Sequence, residues 1–229
     1  MKIAEMEELT FKPAPRAQLS LLAPIERRCL LWLAQRMPAW VTSDHLTLLG
    51  LVAMLLAGLS YWLARWNRYV LLLAIFWLAV NWFGDSLDGT LARLRHRERP
   101  RYGFYVDHVV DCFATLFLLG GLALSGYMGA GVALAMLLVY FMLCIEVYLA
   151  TYALGTFRLS IAKFSPTELR ILLAIGNLVA FSRPLVHLRG ETWRFFDVAG
   201  VIALAVMGVV LIVSVVKNTV VLYRTERLP

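Results

Sequence analysis

Four of the six aspartates in this 229-residue chain fall at positions 85 to 111, in the stretch GDSLDGTLARLRHRERPRYGFYVDHVVD. Asp85 and Asp88 are three apart and Asp107 and Asp111 four apart, so on helices each pair shares one face. The flanking sequence is apolar, and an ionised aspartate inside a membrane costs about 2.5–3.5 kcal/mol at a helix centre. Carboxylates that converge in such a setting repel one another unless a cation sits among them. Hard divalent ions, Mg²⁺ or Mn²⁺, take oxygen ligands and relieve that repulsion, and the spacing asks for one or two of them. Gly89 and Ala92 keep their helix face bare, and Gly103 lies one turn before Asp107 and two before Asp111. Small residues admit a bulky ligand to the backbone, and Arg93, one turn after Gly89, suits bidentate contact with a phosphate oxygen. Carboxylates, glycines and one arginine together describe a metal-dependent diphosphate site.

The elements that must position these residues are membrane helices. Hydrophobic residues make up 61% of the chain and charged residues only 16%, with a mean hydropathy of +0.73, well outside the range of soluble domains. Apolar runs long enough to cross about 30 Å of hydrocarbon occur at residues 45–64, 69–91, 104–125, 130–154, 168–184 and 198–221. The expected fold is therefore an all-α integral membrane protein with six spanning helices over residues 44–229. Residues 1–43 are expected to form a cytoplasmic segment containing an amphipathic interfacial helix, because LSLLAPIERRCLLWLAQRMPAW alternates apolar and basic positions at helical spacing and no cleavage site follows a charged leader.

Charge placement sets the expected orientation. With both termini cytoplasmic, 17 of the 22 lysines and arginines lie on that side, including the five arginines of residues 93–101. Topology explains Arg95, Arg97, Arg99 and Arg101 without a substrate. The net charge of +7 points to anionic lipid headgroups and an anionic substrate, with no call for nucleic acid. Cys29, Cys112 and Cys144 are scattered in or beside apolar segments and fit neither a disulfide framework nor a zinc site.

On this layout both aspartate pairs sit at similar depth near the cytoplasmic ends of the second and third spans, which a short loop makes neighbours. The string from Asp85 through Asp88, Gly89, Ala92 and Arg93 to Gly103, Asp107 and Asp111 resembles the signature DxxDGxxAR…GxxxDxxxD of the CDP-alcohol phosphotransferase family, with all eight specified positions present. VTSDHLTLLG resembles that family's entry to its first span, with Ser43 and Asp44 where Pro-Asn is usual. The resemblance implies transfer of the phosphoalkyl part of a CDP-alcohol donor to an acceptor hydroxyl, release of CMP, an inner-membrane enzyme of phospholipid synthesis and a homodimer. By position, Asp85, Asp88, Asp107 and Asp111 would hold two metal ions, Asp111 would also act as base, and Asp88, Gly89, Ala92, Arg93 and Gly103 would cradle the CDP moiety.

The donor and acceptor are open in the sequence. The compact six-helix form favours CDP-diacylglycerol with a small polar alcohol. His108, directly after Asp107, and Glu168 in SPTELR instead resemble the ethanolamine and choline phosphotransferases, where a Glu-oriented imidazole would serve as base for a diacylglycerol hydroxyl. Glu146 is a further intramembrane acid for which Arg158 or Arg170 are candidate partners, and Arg158, Lys163 and Arg170 are also candidates to bind an acceptor's phosphate. A membrane prenyltransferase accounts less well for two acidic pairs flanking one loop. A divalent-cation channel or carrier accounts for the aspartates but not for Arg93 beside them.

Overall fold

A computed structural model of the protein describes residues 23–154, 166–188 and 190–226. Helix α1 spans Ala23–Arg36, α2 Ser43–Leu63, α3 Val70–Leu94, α4 Pro100–Ser125, α5 Ala130–Leu154, α6 Pro166–Ser182 and α7 Phe195–Thr225; strands β1 (Leu185–Leu188) and β2 (Glu191–Arg194) lie between the last two helices. Lys2, Lys12, Arg16, Arg158, Lys163, Arg189 and Arg227, all counted in the charge bias above, lie outside the described residues.

Helices α2, α3, α4, α5 and α7 are each long and apolar enough to cross a membrane, and the chain is an integral membrane protein. Large apolar side chains stay exposed along their outer faces, as at Leu138, Ile145, Val209 and Ile212; in a hydrocarbon solvent such faces need no protein cover. The expected sixth span falls on α6, whose 17 residues rise only about 25 Å. Helix α6 nevertheless runs antiparallel to α3 over most of its length: the Phe181 ring meets Tyr69 at 5.5 Å between centroids, while Arg170 reaches Asp85.

Local sequence sets the helix limits. Thr42 caps α2 reciprocally with His45, whose Nδ1 accepts from the Thr42 amide at 3.2 Å, so His45 is a capping residue. Pro100 opens α4, and Gly126, at φ +80°, closes it in the left-handed conformation that suits glycine. The hairpin was not expected. Pro184 stops α6, the Phe195 amide donates to its carbonyl at 2.8 Å, and Gly190 at φ +86° turns β1 back onto β2.

Helix α2 is the hub, since α3 and α4 both pack chiefly on it and far less on each other. Small residues make this possible. A Cβ added to Gly121 would collide with the Gly58 backbone, one on Gly58 with the Phe117 carbonyl, and one on Gly84 would come within 2.6 Å of the Leu46 carbonyl. Backbones approach this closely in membranes only through such residues. A buried cluster including Met54, Tyr61, Leu71, Leu78, Leu118 and Leu122 fills the half of the bundle away from the aspartates. A second, comprising Leu30, Ala34, Val41, Leu46, Leu87 and Leu91, lies under α1. Helix α1 thus turns Leu30 and Ala34 inward and leaves Leu31 and Trp32 exposed, as is Trp40 just beyond it.

Candidate active site

Helices α3 and α4 each enter the site with an aspartate face, and α2 behind them sets the gap. One carboxylate oxygen from each of Asp85, Asp107 and Asp111 lies within 4.8 Å of the others, on half-buried side chains. These three are brought together from two helices. The close-neighbour packing expected of α3 and α4 is not what does it: the glycine contacts of α2 with each of them fix the separation instead. An all-oxygen, half-buried, acidic donor set of this size fits a hard divalent cation.

Asp88 stands beside the trio rather than in it. Its Oδ2 accepts from Thr47 Oγ1 at 2.6 Å and its Oδ1 from the Gly89 amide at 2.5 Å. Thr47 is on α2, so the hub helix also orients this aspartate. Gly89 does leave room for the arginine one turn on: Arg93 Nη1 passes 3.4 Å from where a Cβ would sit. Arg93 is exposed, its Nη2 donating to Thr90 at 3.3 Å. Ala92 is half-buried on the same helix, and Gly103 is exposed, with no atom of the described residues within 4 Å of its missing side chain.

His108 donates from Nδ1 to the Phe104 carbonyl of its own helix, at 2.6 Å. Its ring packs against Phe104 and, edge to face, against Tyr148 of α5 at 5.2 Å between centroids. Glu168 is half-buried in the first turn of α6, two residues before Arg170.

Three participants were not legible as such in the sequence. Arg170 pairs with Asp85 through Nη2 at 2.5 Å and donates from Nε to Asn81 Oδ1 at 2.7 Å. Asn81, 5% exposed, donates in turn to the Gly50 carbonyl at 2.9 Å. Glu26 on α1 accepts from Trp82 at 2.9 Å and from Thr167 at 2.6 Å, joining α1 to α3 and α6. A lone amide one turn before Asp85 was the available signal for Asn81.

One candidate partner is corrected. Glu146 does not pair with Arg170: it accepts from Ser214 at 2.9 Å and from Asn218 at 2.7 Å, both on α7. Arg170 is taken by Asp85, and Arg158 and Lys163 lie outside the described residues. Among the arginines of the basic loop, Arg95 donates to the carbonyls of Met37, Pro38, Ala39 and Val41, binding the end of α1 to α3. Arg99 pairs with Asp44, which strengthens its hold on the proton, and stacks on Tyr102. The three cysteines are free thiols.

No protein-family model matches the chain. It is 35% identical over 86 residues to the archaetidylinositol phosphate synthase of Pyrococcus horikoshii, a match that takes in 38% of this chain and 43% of that one. The resemblance drawn from the aspartate motif therefore has a curated relative behind it.

Proposed function

We propose that this chain is a CDP-alcohol phosphotransferase of phospholipid synthesis, transferring the phosphoalkyl group of a CDP-linked lipid to a small polar alcohol and releasing CMP. The observation that carries this is the convergence of Asp85, Asp107 and Asp111 from two helices that scarcely touch, on oxygen atoms within 4.8 Å. The motif spacing around Gly89, Arg93 and Gly103 supports it, and so does the similarity to an archaetidylinositol phosphate synthase, which favours a lipid-linked donor and a polyol phosphate acceptor.

Asp85, Asp107 and Asp111 would hold Mg²⁺ or Mn²⁺, with Asp88 completing a place for a second ion. Bound metal would neutralise the diphosphate and the leaving CMP. The chain's own residues do the rest. Gly89 and Ala92 leave the helix face low enough for the nucleotide's phosphates, and Arg93 places a cation beside them. Gly103 keeps the first turn of α4 open toward the same space. The acceptor oxygen attacks the lipid-side phosphorus, the bond to the CMP oxygen breaks, and the acceptor's proton passes to the Asp111 carboxylate. Thr47 fixes Asp88 by donating to Oδ2, so that this carboxylate keeps one orientation.

In this account α6 is the sixth crossing, both termini are cytoplasmic, the site faces the cytoplasm, and α1 lies at the membrane surface with Trp32 and Trp40 toward the lipid. A homodimer is the assembly that the family resemblance implies. The experiment is CMP release by purified protein given CDP-diacylglycerol or its archaeal ether counterpart across an acceptor panel of inositol phosphate, glycerol phosphate and serine. Product from a CDP-lipid with one polar acceptor supports the proposal; product only from CDP-ethanolamine or CDP-choline with diacylglycerol transfers it to the other branch.

A further inference from the structure

We propose that Arg170 is a positioning residue for the reaction, holding Asp85 at the orientation in which it joins Asp107 and Asp111; this rests on the metal site proposed above. Three observations lead there. First, Asp85 is the sole member of the trio on α3, and α3 packs on α2 rather than on α4. Direct packing between the two aspartate-bearing helices therefore does little to set the Asp85 carboxylate against the other two, whose negative charges push it away. Second, the force that opposes this repulsion comes from a fourth helix, through the 2.5 Å pair of Arg170 Nη2 with Asp85 Oδ2. Third, the guanidinium is itself tied down, and in one direction only.

The tie runs through Asn81. Its Nδ2 donates to the Gly50 carbonyl at 2.9 Å, on the stretch of α2 against which Gly84 packs. Its Oδ1 accepts from Arg170 Nε at 2.7 Å. Turning the amide over would set an NH₂ against the guanidinium and an oxygen against a carbonyl, so donor and acceptor are determined by the neighbours. The backbone of α2, an amide, a planar guanidinium and a carboxylate then form one connected chain. Arginine is required because two N–H groups on different nitrogens must serve two acceptors in a fixed plane; a lysine ammonium offers a single point. Both ends are sheltered, with side-chain exposure of 15% for Arg170 and 27% for Asp85.

This role and a purely electrostatic one differ in sign. If Arg170 were only a nearby positive charge, removing it would strengthen cation binding by the aspartates. If it positions Asp85, removing it weakens binding although a repelling charge has gone. The test is titration of Mn²⁺, followed by its electron paramagnetic resonance signal, into detergent-purified wild type, Arg170→Met, Arg170→Lys and Asn81→Ser, with melting temperatures recorded for each. We expect wild type to bind, the Met and Lys variants to bind about tenfold more weakly, in line with other groups that orient metal ligands, and Asn81→Ser to fall between. Should Arg170→Met not fold, Arg170→Lys carries the comparison. Unchanged or tighter binding by folded Arg170 variants would overturn the positioning role and leave the metal site intact. No Mn²⁺ binding by wild type would overturn both.

Discussion

Glu26, in the helix that lies across the aspartate end of the bundle, and Thr167, in the first turn of α6, are joined by a 2.6 Å hydrogen bond across 141 positions of sequence. The same carboxylate oxygen accepts from Trp82 on α3. Helix α1 therefore clasps the two helices whose Asp85 and Arg170 meet four residues or fewer away.

Glu26→Ala should loosen this clasp. Trp82 and Thr167, and Ser86 at 3.5 Å, lose their acceptor in a half-buried setting, at a cost of about 1–3 kcal/mol, so the melting temperature should fall and turnover should fall with it. Glu26→Gln keeps an oxygen acceptor and should recover most of both. A Glu26→Ala protein with unaltered melting and unaltered CMP release would show that α1 does not support the site.

The α2–α4 crossing makes a sharper prediction. At Gly121 an added Cβ would strike the Gly58 backbone, whereas at the adjacent Gly120 it would meet nothing among the described residues within 4 Å. Gly121→Ala should cost about 1–3 kcal/mol or more by overpacking and displace α4 with its two aspartates. Gly120→Ala should leave thermal stability and CMP release near wild type. Equal effects at the two positions would contradict the crossing.

What the sequence conveyed and what it did not separates along physical lines. The aspartate faces were legible because intrahelical spacing is local: three and four residues apart is one face, and only two aspartates, Asp44 and Asp197, occur elsewhere. Apolar run length marked five of the six expected spans for the same reason. The hub role of α2 was hidden, since Gly50, Gly58, Gly84 and Gly121 read in sequence as ordinary small residues of membrane helices and acquire meaning only when two backbones meet. Arg170 was masked by topology, because a cation at that end of a helix is expected whether or not it pairs with Asp85. The hairpin at 185–194 escaped because only two four-residue strands and one turn glycine signal it. The family resemblance places Asp88 among the metal ligands, but the sequence does not convey that Thr47, 41 positions away, orients its oxygens.

Glu146 gives a control for function inside the membrane. Its oxygens accept from Ser214 and Asn218 and so join α5 to α7. Glu146→Gln keeps one acceptor oxygen and should leave CMP release within about twofold of wild type, while Glu146→Leu strands two polar donors and should lower thermal stability by about 1–3 kcal/mol. Loss of turnover in a stable Glu146→Gln protein would instead place this residue in the reaction.

Asp111 carries the central claim, that convergent aspartates support metal-dependent transfer with CMP as leaving group. The direct measurement is CMP release from CDP-lipid and acceptor by wild type and Asp111→Asn, each with Mg²⁺, with a chelator, and with Mg²⁺ restored. We predict release by wild type that stops on chelation and returns with the metal. For the variant we predict a loss of at least about 100-fold, as for a missing general base, with donor binding retained. Release by wild type that persists in the chelator, or near-normal turnover by Asp111→Asn, would contradict the account.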